Sequence, residues 1–257
     1  MISIVYDNHE HDERLGTAWG FACVIEGLQA TLLFDAGGDG ELLLANMESA
    51  GFAPEQIDRV VLSHIHADHT GGLEQFLLAN PQVTVFLPSV FPAEFKDSVR
   101  RSCALVVETS APCPVCEGAW TTGVLGDEKK EQGLSVRAPG GQVLVTGCAH
   151  PGIVRMVDAA KQHTRSRVDA ILGGFHMRDD PPEAIGSAIG RLQEAGVRQC
   201  VSCHCSGDEA RSRMQRAFGR CWLPSGVGAR FAFADAPPMP LEPVPLQGVA
   251  AHGAMLP

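Results

Sequence analysis

Three imidazoles and a carboxylate fall within six residues of this chain, in Ser63-His64-Ile65-His66-Ala67-Asp68-His69-Thr70-Gly71-Gly72. The segment follows directly on an apolar run, Arg59-Val60-Val61-Leu62. Such a run reads as a buried strand, so the cluster leaves a sheet from one rigid edge. His64 and His66, two apart in extended chain, project the same way and can grip one metal ion. Asp68 and His69, at the turn that follows, can face a second ion or complete the first. Neutral imidazole beside a carboxylate suits zinc and other borderline divalent ions. The alternative, a loop of solvated histidines, requires that these groups stay out of the interior, because burying them without partners is costly.

Three more histidines follow apolar runs and precede helix-like sequence, as a site at one sheet edge requires. His150 lies in Val143-Leu144-Val145-Thr146-Gly147-Cys148-Ala149-His150-Pro151-Gly152, His176 in Leu172-Gly173-Gly174-Phe175-His176, and His204 in Val201-Ser202-Cys203-His204-Cys205-Ser206-Gly207. His-x-His-x-Asp-His after a short strand, followed by Thr-Gly-Gly and a helix, resembles the metallo-β-lactamase superfamily, and the likeness covers roughly residues 1–222. Leu32-Leu33-Phe34-Asp35-Ala36-Gly37 is similar to that family's first motif, whose Asp supports the metal ligands from behind. Asp7-Asn8, Trp19-Gly20-Phe21-Ala22, Asn46-Met47, Gly147–Ile153, Gly173–His176 and His204–Gly207 together resemble the branch related to dihydropterin–ribofuranosylaminobenzene phosphate synthase. One departure stands out. Other hydrolases of the family carry a bridging Asp, or in some lactamases a Cys, on the fourth motif, where this chain has His176; Asp179 and Asp180 lie beyond it.

The resemblance implies an α/β fold, a four-layer αββα sandwich with metals at the common edge of two sheets. Strands are expected at 2–6, 20–25, 30–34, 60–62, 83–87, 105–108, 134–137, 143–146, 170–172 and 199–202. Helices are expected at 40–50, 72–78, 152–163, 183–195 and 208–218, with Ile153, Met156, Val157 and Ala160 marking one buried face. The stretch 100–142 reads as strand-rich and should cross between the halves and rim the site. Residues 1–235 are expected to form a single domain. Residues 236–257, rich in proline and without periodicity, read as a draped or disordered tail.

Composition narrows the function classes. A formal net charge of −10 argues against a surface that coats nucleic acid, which needs clustered Lys and Arg. No apolar run approaches the roughly twenty residues of a membrane span. The amino terminus lacks the basic start and apolar stretch of an export signal, so a cytoplasmic protein with reduced thiols is expected. Among nine cysteines, Cys113/Cys116 and Cys200/Cys203 have the spacing of a four-thiolate zinc site if the fold brings them together. Apolar packing is expected for Cys23, Cys103, Cys148 and Cys221. Cys203 and Cys205 flank His204 and can lie close to its metal, where oxidation is possible.

From the resemblance the metal ligands are His64, His66, Asp68, His69, His150 and His204, for one or two divalent ions: zinc first, manganese or iron as alternatives. An ion on His64, His66 and His150 with an open position would lower the pKa of water and supply hydroxide as nucleophile. Asp68 would orient that nucleophile or ligate a second ion with His69 and His204, then pass a proton to the leaving group. His176 would ligate or donate a hydrogen bond to developing oxyanion charge. The implied partner is a small phosphorylated ester or pyrophosphate, with neither nucleic acid nor membrane. Lys96, Arg100, Arg101, Lys129, Lys130 and Arg178 are candidate anion binders, and Trp19 and Phe175 candidate stacking groups. An iron redox enzyme and a non-catalytic metal-binding protein are the competing readings.

Overall fold

In the computed structural model, which describes residues 1–233, the apolar runs pair into two mixed sheets. One contains β1 (Ile2–Tyr6), β2 (Ala22–Ile25), β3 (Leu32–Phe34), β4 (Arg59–Val61), β5 (Thr84–Pro88) and β6 (Leu105–Thr109). The other contains β7 (Pro114–Cys116), β8 (Ala119–Thr121), β9 (Leu134–Ala138), β10 (Gly141–Thr146), β11 (Val168–Gly173) and β12 (Gln199–Ser202). A final short strand, β13 (Arg230–Phe231), returns to the first sheet beside β1. The strand orders are β13-β1-β2-β3-β4-β5-β6 and β12-β11-β10-β9-β8-β7. Strands β3 to β6 run parallel, as do β10 to β12.

Neighbouring side chains on each strand enter different cores. On β4, Val61 joins Ile4, Phe21 and Phe34 against Leu134, Val143, Val145 and Leu172 of the opposite sheet. Val60 points the other way, packing with Val5, Leu33 and Val85 under Leu43 and Met47 of helix α1 (Gly40–Ser49) and Phe76 of the third helix, Leu73–Ala79. A one-turn helix α2 (Ala67–Thr70) separates those two, which makes the third α3; α4 (Ala93–Ser102) completes that layer. Leu144 and Ile171 face outward onto α5 (Ile153–Thr164), α6 (Pro182–Glu194) and α7 (Asp208–Phe218). Both faces of both sheets are therefore covered, and the order is helix, sheet, sheet, helix. Each fully buried Val, Leu, Ile or Phe contributes about 1.5–3 kcal/mol relative to its exposed state. Among the described residues no helix is long and apolar enough to cross a membrane.

The expected αββα sandwich is the observed fold, with additions. Helix α4 buries only Val99, so its sequence lacks the recurring apolar positions that reveal an amphipathic helix. Strands β7, β8 and β13 are too short to display alternation. The four-thiolate site is not formed. Cys116 lies on β7 and Cys200 on β12, the opposite edges of one six-stranded sheet, five strand spacings or roughly 24 Å apart. Cys200 instead packs its sulfur 3.6 Å from that of Met214. The expected tail, residues 236–257, lies outside the described residues.

Candidate metal centre

Five strands, β3, β4, β10, β11 and β12, deliver the site from their carboxyl ends, and four of those ends turn sharply. Asp35 after β3, Ala149 after β10, His176 after β11 and His204 after β12 adopt left-handed backbone, with φ of 57°, 56°, 50° and 47°. Such a conformation costs a non-glycine residue about 1–3 kcal/mol, and its concentration here marks a functional edge. The two sheets meet at Gly147. A Cβ there would stand 2.2 Å from Ser63 Oγ and 2.8 Å from Asp35 Oδ2, so only glycine lets β10 end against β3 and β4.

Two donor sets adjoin at this seam. The ligand atoms of His64, His66 and His150 lie within 4.8 Å of one another, and so do those of Asp68, His69 and His204. The rings are oriented from behind. Ser63 donates to Asp35 Oδ2 at 2.7 Å and is 2.9 Å from His64 Nδ1, while His69 Nδ1 lies 2.8 Å from the same carboxylate oxygen. His150 Nδ1 is 2.9 Å from Glu131 Oε2, and His204 Nδ1 is 2.9 Å from Asn8 Oδ1. With Nδ1 engaged in each of these four rings, Nε2 is the atom left to coordinate.

Two of those inward atoms, Nε2 of His150 and of His204, are buried without a hydrogen-bond partner. A buried polar atom left in that state is costly, and coordination relieves it. Burial, followed for each by the charges of neighbouring histidines, lowers the His64 and His69 pKa to about 3. Both are therefore neutral imidazoles at physiological pH, the form that binds metals. Burial opposes ionisation of Asp68, but His204 and His69 outweigh it and hold its carboxyl well below the usual range. Asp68 Oδ2 is 3.4 Å from His204 Nε2 and 3.6 Å from His69 Nε2. Imidazoles converging on one carboxylate fit a divalent ion of the zinc, manganese or iron type.

All six expected ligands thus gather at one edge. His176 lies beside them, its ring centroid 4.5 Å from that of His150, and is exposed rather than embedded among the donors. Its pKa is raised, first by a hydrogen bond with Cys205. Cys148 does not pack as an apolar thiol as expected: its Sγ is 3.3 Å from His69 Nε2. The neighbouring Cys148 thiol holds the Cys205 thiol below its ordinary value.

Glu131 escapes sequence reasoning altogether. In Gly126-Asp127-Glu128-Lys129-Lys130-Glu131-Gln132 it looks like part of a solvated charge run, yet its side chain is fully buried. It accepts the backbone N–H groups of Gly147, Cys148, Ala149 and His150 at 2.9–3.2 Å as well as the His150 ring. Burial pushes its pKa up, but the histidine charges and these donors more than reverse the effect. Gln132, its neighbour, ties the same loop to the end of β4 by donating to the Leu62 and Ser63 carbonyls.

Of the candidate anion binders, Arg178 stacks 4.2 Å above the ring of Trp19, which itself lies 4.7 Å from His204. Lys129 is near enough to lower the pKa of His66, behind burial and His150. Lys96 and Arg100 are committed to Glu108 on β6. Phe175 is buried with the outer core of the second sheet and is not a stacking surface. A separate cleft of about 490 Å³ is lined by Trp120, Arg137, Gln142 and Asp169, but it holds no cluster of metal donors.

Comparison with known proteins bears on the fold and on family likeness. The model of the metallo-beta-lactamase superfamily matches residues 20–99, the stretch that carries His64, His66, Asp68 and His69. The solved structure of Tm1679, a metal-dependent hydrolase of the beta-lactamase superfamily, superposes with a TM-score of 0.75 at 22% identity, covering 91% of this chain and 99% of its own. Residues 20–99 thus match a metallo-beta-lactamase superfamily domain, and the chain as a whole shares that fold. The chain is 29% identical over 237 residues to 7,8-dihydropterin-6-methyl-4-(beta-D-ribofuranosyl)-aminobenzene-5'-phosphate synthase of Methanocaldococcus jannaschii. That alignment covers 75% of this chain and 81% of the relative. YhfI from Bacillus subtilis, a metallo-β-lactamase fold protein, shares the fold at 12% identity, with a TM-score of 0.65 over 89% of this chain and 97% of its own.

Proposed function

We propose that this metallo-β-lactamase-fold protein is a metal-dependent hydrolase or phosphoryl-type transferase acting on a small phosphorylated ester or pyrophosphate, with zinc as its metal. The observation that carries the proposal is the pair of adjoining donor sets, one of which contains the carboxylate of Asp68. The M. jannaschii relative, named as a synthase of a ribofuranosyl-aminobenzene phosphate, supports a phosphorylated substrate.

Divalent ions on these donors supply Lewis acidity and lower the pKa of water towards neutrality. The chain's own groups perform the rest. His64, His66 and His150 hold one position, and Asp68, His69 and His204 the other. Asp68, part-exposed at the mouth, accepts a proton from the attacking water and returns it to the leaving group. His176, with its raised pKa, donates a hydrogen bond to an oxygen that gains negative charge. Arg178 and Lys129 flank the donors with positive charge suited to a phosphate, and the exposed Trp19 ring offers a flat apolar surface to a planar group.

The test is an assay of zinc- or manganese-loaded protein on p-nitrophenyl phosphate, bis(p-nitrophenyl) phosphate and a nucleoside diphosphate. The expected result is turnover of at least one, reduced about 10²–10⁴-fold in Asp68→Asn. Folded, metal-loaded protein inert towards all three would refute the reading.

A further inference from the structure

The fourth strand-end motif supplies no carboxylate between the two donor sets: His176 is exposed and lies to one side. A different side chain stands in the gap. Cys148, at the end of β10 and 4% exposed, places Sγ 3.3 Å from His69 Nε2. Its sulfur and the ligand nitrogens of His64 and His69 all lie within 4.8 Å of one another. His64 belongs to one donor set and His69 to the other, so Cys148 is the thiol that reaches both.

We propose that Cys148 is a metal ligand, its thiolate standing between the two donor sets in the place of a bridging carboxylate. The inference rests on the metal-dependent reading above and adds a sulfur to it.

Three independent features converge on this assignment. The spacing is that of donors on a common ion: with Zn–N near 2.05 Å and Zn–S near 2.3 Å, tetrahedral neighbours stand roughly 3.5 Å apart. The orphaned Nε2 atoms of His150 and His204 show that donors on both sides of Cys148 lack protein partners. The backbone holds the sulfur in place, because the Cys148 N–H donates to Glu131 Oε1 at 3.0 Å, and the adjoining Gly147 packs so closely against Ser63 and Asp35 that a side chain there would clash. Cys205, although near Cys148 and His176, is not grouped with His64 or His69, which singles out Cys148 of the two thiols. Coordination removes the S–H proton to solvent and forms a metal–sulfur bond, with no change of oxidation state.

The test is spectroscopic and needs no substrate. Zinc-loaded wild-type protein should show a sulfur scatterer at about 2.3 Å in X-ray absorption fine structure. Cobalt-loaded protein should show a thiolate-to-cobalt charge-transfer band in the near ultraviolet. That band should vanish in Cys148→Ser, with the visible cobalt bands retained, and persist in Cys205→Ser. Cobalt bound with visible bands but no sulfur signal in the wild type would overturn the Cys148 assignment while leaving the metal site standing. So would loss of the band in Cys205→Ser rather than Cys148→Ser. Failure to bind cobalt or zinc at all would overturn both this inference and the reading beneath it. Because the wild-type spectra decide the presence of sulfur, a variant that fails to fold does not remove the test.

Discussion

Replacing Glu131 with Gln keeps the size of the side chain and removes the charge that four backbone N–H groups and one imidazole point at. An amide NH2 must then face at least one of those donors. Leaving a buried donor unsatisfied costs about 1–3 kcal/mol, and releasing the His150 ring weakens metal binding by about 10–100-fold. Chemical denaturation and a zinc competition titration of Glu131→Gln should show both losses. Unchanged zinc affinity would mean that Glu131 does not orient His150. The contrast with the histidines is instructive. His64, His66, Asp68 and His69 are legible because one strand and one turn place them, so their spacing is their geometry. Glu131 comes from a loop between β8 and β9, and only the packing of that loop under β10 removes it from water. Cys148 is misleading for a related reason: its sequence neighbours are small and apolar, while its sulfur's neighbours are His69 and Cys205 from other strands.

At the scale of elements, parallel β10, β11 and β12 set the spacing of Cys148, His150, His176 and His204, and their alignment has a weak point. The register between β10 and β11 shifts between Gln142 and Val143, where Asp169 is the extra residue. Its carboxylate accepts from Gln142 N at 3.2 Å, Arg167 Nε at 2.8 Å and Arg198 Nη2 at 2.7 Å, which ties β10, β11 and the approach to β12 together. Burial opposes the Asp169 charge, but these donors outweigh it and lower its pKa. A carboxylate with a lowered folded-state pKa stabilises the fold above its unfolded pKa of about 3.9, and that stability is lost as pH falls through the lower folded value. Asp169→Asn should therefore cost about 1–2 kcal/mol at neutral pH, with the gap from wild type closing under acid below about pH 4. Thermal denaturation of both proteins across pH checks this, and a pH-independent gap would mean that charge is not what the site uses. The strands involved were visible in sequence as apolar runs. The bulge was not, since it depends on how two runs align.

For the whole molecule, stability and metal should be linked, because the donors come from both sheets and an ion binds only the assembled edge. Free metal at a hundred times its Kd adds about 2.7 kcal/mol of stability. At about 2–4 °C per kcal/mol for a chain of this size, removal of metal with a chelator should lower the melting midpoint by roughly 5–11 °C. Differential scanning calorimetry with and without chelator measures this, and identical midpoints would contradict a shared site between the sheets. The layer order was legible because buried sheet strands and amphipathic helices alternate along the chain. The identity of the metal and substrate is not written at that scale, since one scaffold supports many chemistries.

Elemental mass spectrometry of protein purified without added metal, beside His66→Ala, tests the metal centre most directly. The account predicts about two zinc ions per chain in the wild type, with occupancy reduced in the variant. Protein that carries no divalent metal and takes up none on addition would contradict it.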